Sequence, residues 1–213
     1  MNFKYYKTER LILLIIGLAV ILGALSTWIN HLISNIPGPL ATAIIFTDSF
    51  TVPFFITIII YLINNYLWKS NKFKWLIDIP NLNGRYVGKL ESSYVENGKK
   101  KILDCVIEIS QSASSIHICG YFGDITKDNV SSTSISTSET IVEEKNGFFR
   151  LYYIFTNETG GIPEKLNNHS GTAKFLYYPD KKMLDGDYYN KLQNVGLIKV
   201  SFQQEKLIGR LTP

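Results

Sequence analysis

Apolar positions run unbroken through residues 11–33, LILLIIGLAVILGALSTWINHLI, 23 residues without a formal charge. About 20 such residues cross a hydrocarbon core about 30 Å thick, so this run predicts a transmembrane helix. Its length, its ending in Trp-Ile-Asn-His and its lack of an Ala-x-Ala site argue against a cleaved signal peptide. A second apolar run, residues 43–68, contains Asp48 and Pro53. It predicts a span over about residues 45–68 whose helix starts around 47–51, with Asp48 capping the first turn and Pro53 tolerated near that end. A second reading makes Asp48 a polar group lining an assembly of helices. Residues 34–42, SNIPGPLAT, form the short connection, and Trp28 and Trp68 suit interfacial anchors.

After a basic linker, residues 69–74, the period changes from continuous to alternating. Eight candidate strands follow at 84–95, 102–110, 115–122, 133–142, 148–155, 172–178, 183–189 and 198–204. Turn chemistry separates them at Glu96-Asn97-Gly98, Lys145-Asn146-Gly147, Pro179-Asp180-Lys181 and residues 194–196. Residues 157–168, rich in Gly and Asn, form the one long loop. Eight short antiparallel strands predict a small up-and-down barrel in preference to a sandwich, because closure removes exposed edges. Such a barrel has room for packed side chains or one small ligand. Gly84-x-Tyr86-x-Gly88 and Gly186-x-Tyr188 place small and large residues on one face, and Tyr86, Phe122, Phe155, Phe175 and Phe202 suit the interior. The fold class is a membrane-anchored all-β protein: a helical hairpin in residues 1–74 and a barrel in residues 75–213.

Charge changes the picture in one respect. Of the 40 formal charges, 39 lie outside residues 11–68, and residues 75–213 carry 16 of each sign. The net +4 comes from Lys4, Lys7, Arg10, Lys69, Lys72 and Lys74, which flank the apolar runs, less Glu9 and Asp48. These cations report topology and place both termini in the cytoplasm of an inner-membrane protein. With a neutral domain, duplex nucleic acid is not an expected partner.

Catalytic chemistry is sparse. His31, His117 and His169 show no ligand spacing, and no phosphate loop, dinucleotide fingerprint or nucleophile elbow is present. Cys105 and Cys119 are expected on neighbouring strands as two buried thiols in a reducing compartment. Asp185-Gly186-Asp187 reads as a solvated turn at the start of a strand. The expectation is a binding protein, with no enzyme activity, metal or cofactor. Aromatic and cationic residues interleave in the strands: Arg150 and Tyr152, Lys174, Tyr121, Arg85 and Tyr86. Arg grips phosphate and aromatic faces stack on bases, so these six are the candidate ligand contacts. Ala19, Gly23 and Thr27 form a ridge of small residues on the first helix, a pattern that permits close helix packing.

The strand that opens the domain reads Pro80-Asn81-Leu82-Asn83-Gly84-Arg85-Tyr86-Val87-Gly88. With two amino-terminal membrane helices and a basic junction, the chain resembles the two-transmembrane, β-strand-rich effectors of bacterial cyclic-oligonucleotide antiphage signalling (CBASS), CD-NTase-associated proteins. The resemblance implies that a partner nucleotidyltransferase makes a cyclic dinucleotide after phage infection and the barrel binds it. The effector then forms a homo-oligomer and disrupts the inner membrane, killing the cell. The alternative is a membrane-tethered, lipocalin-like barrel for a lipid or other apolar ligand.

Overall fold

A computed structural model of the chain describes residues 3–34, 39–96, 98–127, 129–159 and 168–212. The chain divides into two compact units, Met1–Asp78 with Ser112–Ser115, and Ile79–Gln111 with Ile116–Pro213. The expected turn at Asn97 and much of the expected loops at 34–42 and 157–168 lie outside the described residues.

The first unit is helical. Helix α1 (Thr8–Ser34) contains the charge-free run, and its Leu13, Val20, Ile21 and Trp28 side chains stand exposed. Residues Thr8–Ile33 are long and apolar enough to cross a membrane. Helix α2 (Pro39–Asn65) begins well before residues 47–51, because proline's fixed φ and missing N–H suit the first helical position. Asp48 therefore lies inside α2 rather than ahead of it, and Pro53 falls mid-helix. Among the described residues α1 alone meets the length for a span; the apolar part of α2, Thr51–Asn65, is shorter. Trp68, expected as an anchor at the lipid surface, is instead buried in the 3-10 turn Leu67–Lys69.

Polar contacts tie the residues before α1 to those after α2. Tyr6 bridges Ile77, the Lys7 N–H donates to Leu76 O at 2.9 Å, and the Lys7 ammonium pairs with Asp78 at 3.1 Å. Arg10 donates to Trp75 O at 2.7 Å. Asn64 is buried; its backbone carbonyl accepts from the Ala113 N–H, and its Oδ1 accepts from the Ser114 and Tyr6 hydroxyls. Burial pushes the Tyr6 phenol up to about 12, so it stays a neutral donor.

The second unit is a closed antiparallel barrel of eight strands in sequence order. They are β1 (Gly84–Glu96), β2 (Lys99–Gln111), β3 (Ile116–Asp124), β4 (Asn129–Glu143), β5 (Phe149–Thr159), β6 (His169–Tyr178), β7 (Met183–Asn190) and β8 (Val195–Gln204). Each expected strand is present, and several run further than expected. Thus β4 starts at Asn129 and β8 at Val195, because ladder bonds continue through Ser and Asn residues that give no apolar alternation. The β1–β8 ladder, with Tyr86 opposite Phe202 and Leu90 opposite Ile198, closes the sheet.

Inward positions at the end where β1 starts are filled by Tyr86, Ile107, Ile109, Ile118, Leu151 and Phe175, each almost fully buried. The Pro80–Gly88 motif builds that closed end. Asn83 and Gln111 pair through side chain and backbone, with Gln111 N–H to Asn83 Oδ1 at 2.8 Å and Asn83 Nδ2 to Gln111 O at 3.0 Å. Gln111 Oε1 also accepts from the Leu82 N–H at 2.7 Å. Gly84 has φ of 132°, and a Cβ there would stand 2.6 Å from the Phe202 ring and 2.7 Å from Gln204 O. Glycine is the residue such backbone admits. Tyr86 turns inward, packs edge-on against Phe202 at 5.6 Å and donates its hydroxyl to Leu82 O at 3.1 Å.

Two sequence expectations change once strand faces are assigned. Cys105 opposes Phe122 inside the barrel while Cys119 opposes Glu108 outside, so the thiols face away from each other. Burial pushes the Cys105 thiol up, and the less buried Cys119 moves the same way. Asp185-Gly186-Asp187 lies within β7, not in a turn, and its carboxylates pair outward with Lys199 and Lys174.

On the outer face of β1 and β2, Arg85 is 1% exposed and Glu108 4%. The carboxylate accepts from Arg85 Nη1 at 2.7 Å and from the Ile208 and Gly209 N–H groups. Arg85 also donates to Arg210 O and Leu211 O at 2.7 and 2.6 Å and to Gln203. The carboxy-terminal segment is thereby bound to the barrel wall, with Leu211 fully buried. Removing one member of a buried ion pair leaves an uncompensated charge, which costs about 3 to 5 kcal/mol. Arg85→Ala and Glu108→Ala are each expected to lower unfolding free energy by that amount, measured by denaturant titration followed by circular dichroism. The double change Arg85→Met with Glu108→Leu is expected to cost much less.

Candidate functional site

Beyond the packed half, the inward positions change from aliphatic to aromatic and polar. They enclose a cavity of about 460 Å³, within the usual range for small-molecule pockets. It opens at the end of the barrel where β1 finishes and β2 begins. Leu90, Leu103 and Ile198 line it together with the rings of Phe122, Tyr153 and Phe155. Tyr153 stacks on Phe175 at 5.9 Å and tilts against Phe155 at 6.0 Å. This arrangement presents π-faces along one side of the cavity.

Two glycines hold the rings flat. Gly171 lies opposite Phe155, and a Cβ on it would stand 2.5 Å from that ring. Gly196 lies opposite Tyr188, and a Cβ there would strike that ring and the Glu91 carbonyl. Each ring lies across a neighbouring strand instead of into the lumen, an aromatic-over-glycine device of curved sheets. The Tyr188 hydroxyl then reaches Ser92 Oγ at 2.9 Å. Burial pushes the Tyr153 and Tyr188 phenols up, so at neutral pH both are uncharged hydroxyls.

The rim is polar and almost without charge. Ser132 and Ser134 of β4 point inward beside Asn157 of β5 and His169 of β6; Ser134 opposes Asn157, which opposes His169. Asn157 Nδ2 donates to His169 Nε2 at 3.4 Å, while Asn157 Oδ1 is buried and accepts no hydrogen bond among the described residues. Asn190 Oδ1 accepts from the Leu192 and Asn194 N–H groups and so shapes the β7–β8 turn. Lys101 is the only formally charged residue among the described lining, with its ammonium 5.9 Å from the Tyr94 ring.

None of the six candidate ligand contacts lines this cavity. Arg150, Tyr152 and Lys174 come together on the outer face of β5 and β6, where Tyr152 opposes Lys174. Arg150 is paired with Glu144 and Lys174 with Asp187. Tyr121 faces outward near Cys119, Glu108 and Arg85, Arg85 clamps the carboxy terminus, and Tyr86 sits in the packed half. For all but the inward Tyr86 the reason is parity: strand residues alternate faces, and Arg85, Tyr121, Arg150, Tyr152 and Lys174 fall on the outer one. The cavity lining the sequence reading did not single out consists largely of serines and amides. Their signal was in β4, where Ser132, Ser134 and Ser136 alternate with Thr133 and the exposed Ile135. Such polar-in, apolar-out patterning marks a wall facing a wet or ligand-filled space.

Residues 77–201, covering the strands from β1 through most of β8, match the family model of Cap15, cyclic dinucleotide receptor domain. The chain belongs to the Cap15 family. This bears out the resemblance to CBASS effectors and gives the Cap15-type barrel a binding role. No curated protein matches the sequence.

The cavity's size is sensitive to one backbone position. Gly120 faces inward opposite Ser134, and a Cβ on it would lie 2.5 Å from Ser134 Oγ and 2.9 Å from the Phe122 ring. Both neighbours are movable side chains that line the cavity. Gly120→Ala is expected to push them into the lumen and weaken cyclic dinucleotide binding at least tenfold in calorimetry. Overpacking of this kind costs about 1 to 3 kcal/mol, so the barrel is expected to remain folded.

Proposed function

We propose that the chain is a membrane-anchored CBASS effector whose barrel holds one cyclic dinucleotide in the open half of its interior. The observation that carries this reading is a cavity with an aromatic side and a neutral hydrogen-bonding rim, inside the segment that matches a cyclic dinucleotide receptor family. Bases stack on the rings of Phe122, Tyr153, Phe155 and Tyr188, each worth about 1 to 3 kcal/mol. Serine hydroxyls and amides meet sugar and base edges, and Lys101 at the rim meets a phosphate. The ligand contacts proposed here are thus interior ones, and the outer Arg150–Tyr152–Lys174 cluster serves as the comparison.

In this reading residues 1–74 form the membrane hairpin and residues 75–213 the cytoplasmic receptor. The apolar character of α2 supports a second span, and the cations flanking the hairpin support cytoplasmic termini. Two helices cannot enclose a pore, so damage requires many copies. Ligand-bound barrels that associate raise the local concentration of helices in one patch of bilayer, and the messenger comes from a partner nucleotidyltransferase.

Titration of the full chain in lipid nanodiscs with cyclic dinucleotides and with fatty acids tests the ligand class. Lys101→Ala is expected to lose about 1.5 to 3 kcal/mol of cyclic dinucleotide affinity, the range for a hydrogen bond to a charged group. Arg150→Ala is expected to change nothing. Fatty-acid binding without a nucleotide signal would replace this reading with the lipocalin-like one.

A second test addresses the membrane step. The Thr27 hydroxyl bonds back to Gly23 O at 3.0 Å, and among the described residues no atom lies within 4 Å of where a Gly23 Cβ would stand. The Ala19–Gly23–Thr27 ridge is therefore open at its centre for a neighbouring copy. Gly23→Leu is expected to insert and bind ligand normally yet admit far less dye into cells that express the synthase. Undiminished dye entry would remove the ridge from the mechanism.

A further inference from the structure

Asn157 is 8% exposed and lines the cavity, yet among the described residues its Oδ1 has no hydrogen-bond partner. A buried carbonyl left unpaired costs about 1 to 3 kcal/mol, so its retention on a cavity wall calls for a ligand donor. The other end of the amide is already oriented. Nδ2 can act only as a donor, so its contact with His169 Nε2 at 3.4 Å uses one of its two hydrogens and makes that ring nitrogen the acceptor. The second Nδ2 hydrogen is left beside the unpaired Oδ1. Oδ1 itself is closed off from the lumen, and a rotation of the carboxamide brings one acceptor and one donor, side by side, to a base.

Phe155 is the preceding inward position on β5, about 6 to 7 Å along the strand, and Gly171 lets its ring lie flat. A base resting on that ring brings one edge to the Asn157 carboxamide. Adenine presents the matching pair, with N6–H donating to Oδ1 and N7 accepting from Nδ2, the geometry by which Asn reads adenine elsewhere. Guanine offers two acceptors, O6 and N7, on the corresponding edge and leaves Oδ1 unpaired. The pyrimidines have a smaller face for the Phe155 ring.

We propose that Asn157, held by His169 above the Phe155 ring, is a specificity-determining residue that selects an adenine in the bound cyclic dinucleotide. This rests on the proposed binding of a cyclic dinucleotide in the barrel. The test is calorimetry on the full chain in lipid nanodiscs with cyclic di-AMP, cyclic GMP-AMP, cyclic di-GMP and cyclic di-UMP. Wild type is expected to bind at least one adenine-containing ligand tenfold or more tighter than cyclic di-GMP and cyclic di-UMP. Asn157→Leu and Asn157→Asp are each expected to weaken adenine-containing ligands at least tenfold and leave cyclic di-GMP within about twofold, which abolishes the preference. Circular dichroism verifies folding, and if Asn157→Leu does not fold, the near-isosteric Asn157→Asp decides. Wild type that binds none of the four overturns the receptor reading itself. Wild type that favours guanine or uracil, or folded variants that keep the adenine preference, overturn the role of Asn157 and leave the receptor reading standing.

Discussion

The ladder between β1 and β8 is the constraint on which the barrel depends, because it converts eight short strands into a sheet without an edge. Backbone hydrogen bonds then hold the wall all the way round, whatever the interior contains. An open sheet must cover its inner face with packed side chains along its whole length. A closed one is free to pack one half and leave the other half as a cavity. Tyr86, Phe175 and the aliphatic residues around them fill the first half. The inward glycines opposite Phe155 and Tyr188 keep the second half open by giving those rings a place to lie.

Charge is sorted by the same geometry. The outer face carries matched pairs between neighbouring strands, such as Lys89 with Asp104, Lys174 with Asp187 and Lys199 with Asp185. These pairs are solvated and contribute little individually. Arg85 and Glu108 are different, because the carboxy-terminal segment covers them and each charge is answered by backbone groups as well as by its partner. The interior of the open half remains nearly neutral. A dinucleotide held there gains from stacking and directional hydrogen bonds rather than from an array of cations.

The helical unit follows a separate logic. Its apolar side chains are spread around α1 with large residues exposed, as expected of a helix solvated by lipid rather than by a protein core. At the end of the hairpin the physics reverts to that of a soluble protein. There Tyr6, Lys7 and Arg10 are fixed to residues 75–78 by hydrogen bonds and an ion pair, and Asn64 binds the Ser112–Ser115 segment. Two of the cations flanking the apolar runs, Lys7 and Arg10, thus have structural partners.

Periodicity determined the elements, since a charge-free run of 23 residues and eight alternating segments between Gly, Asn and Asp turns have few other solutions. Composition separated a charge-poor apolar part from a charge-balanced one, and the Pro80–Gly88 stretch pointed to the family. That stretch proved to be architecture: Asn83, Gly84 and Tyr86 close the packed end of the barrel. Which residues line the cavity was not legible in the same way. Arg150, Tyr152 and Lys174 are adjacent in chemistry and even in space, but alternation alone does not say which face of a strand is inside when the interior itself is polar. The closed register decided it, by setting Ser134, Asn157 and His169 in one inward row across three strands. Neighbours along a strand are encoded locally; neighbours across a barrel exist only after closure, because the register of every ladder must first be satisfied.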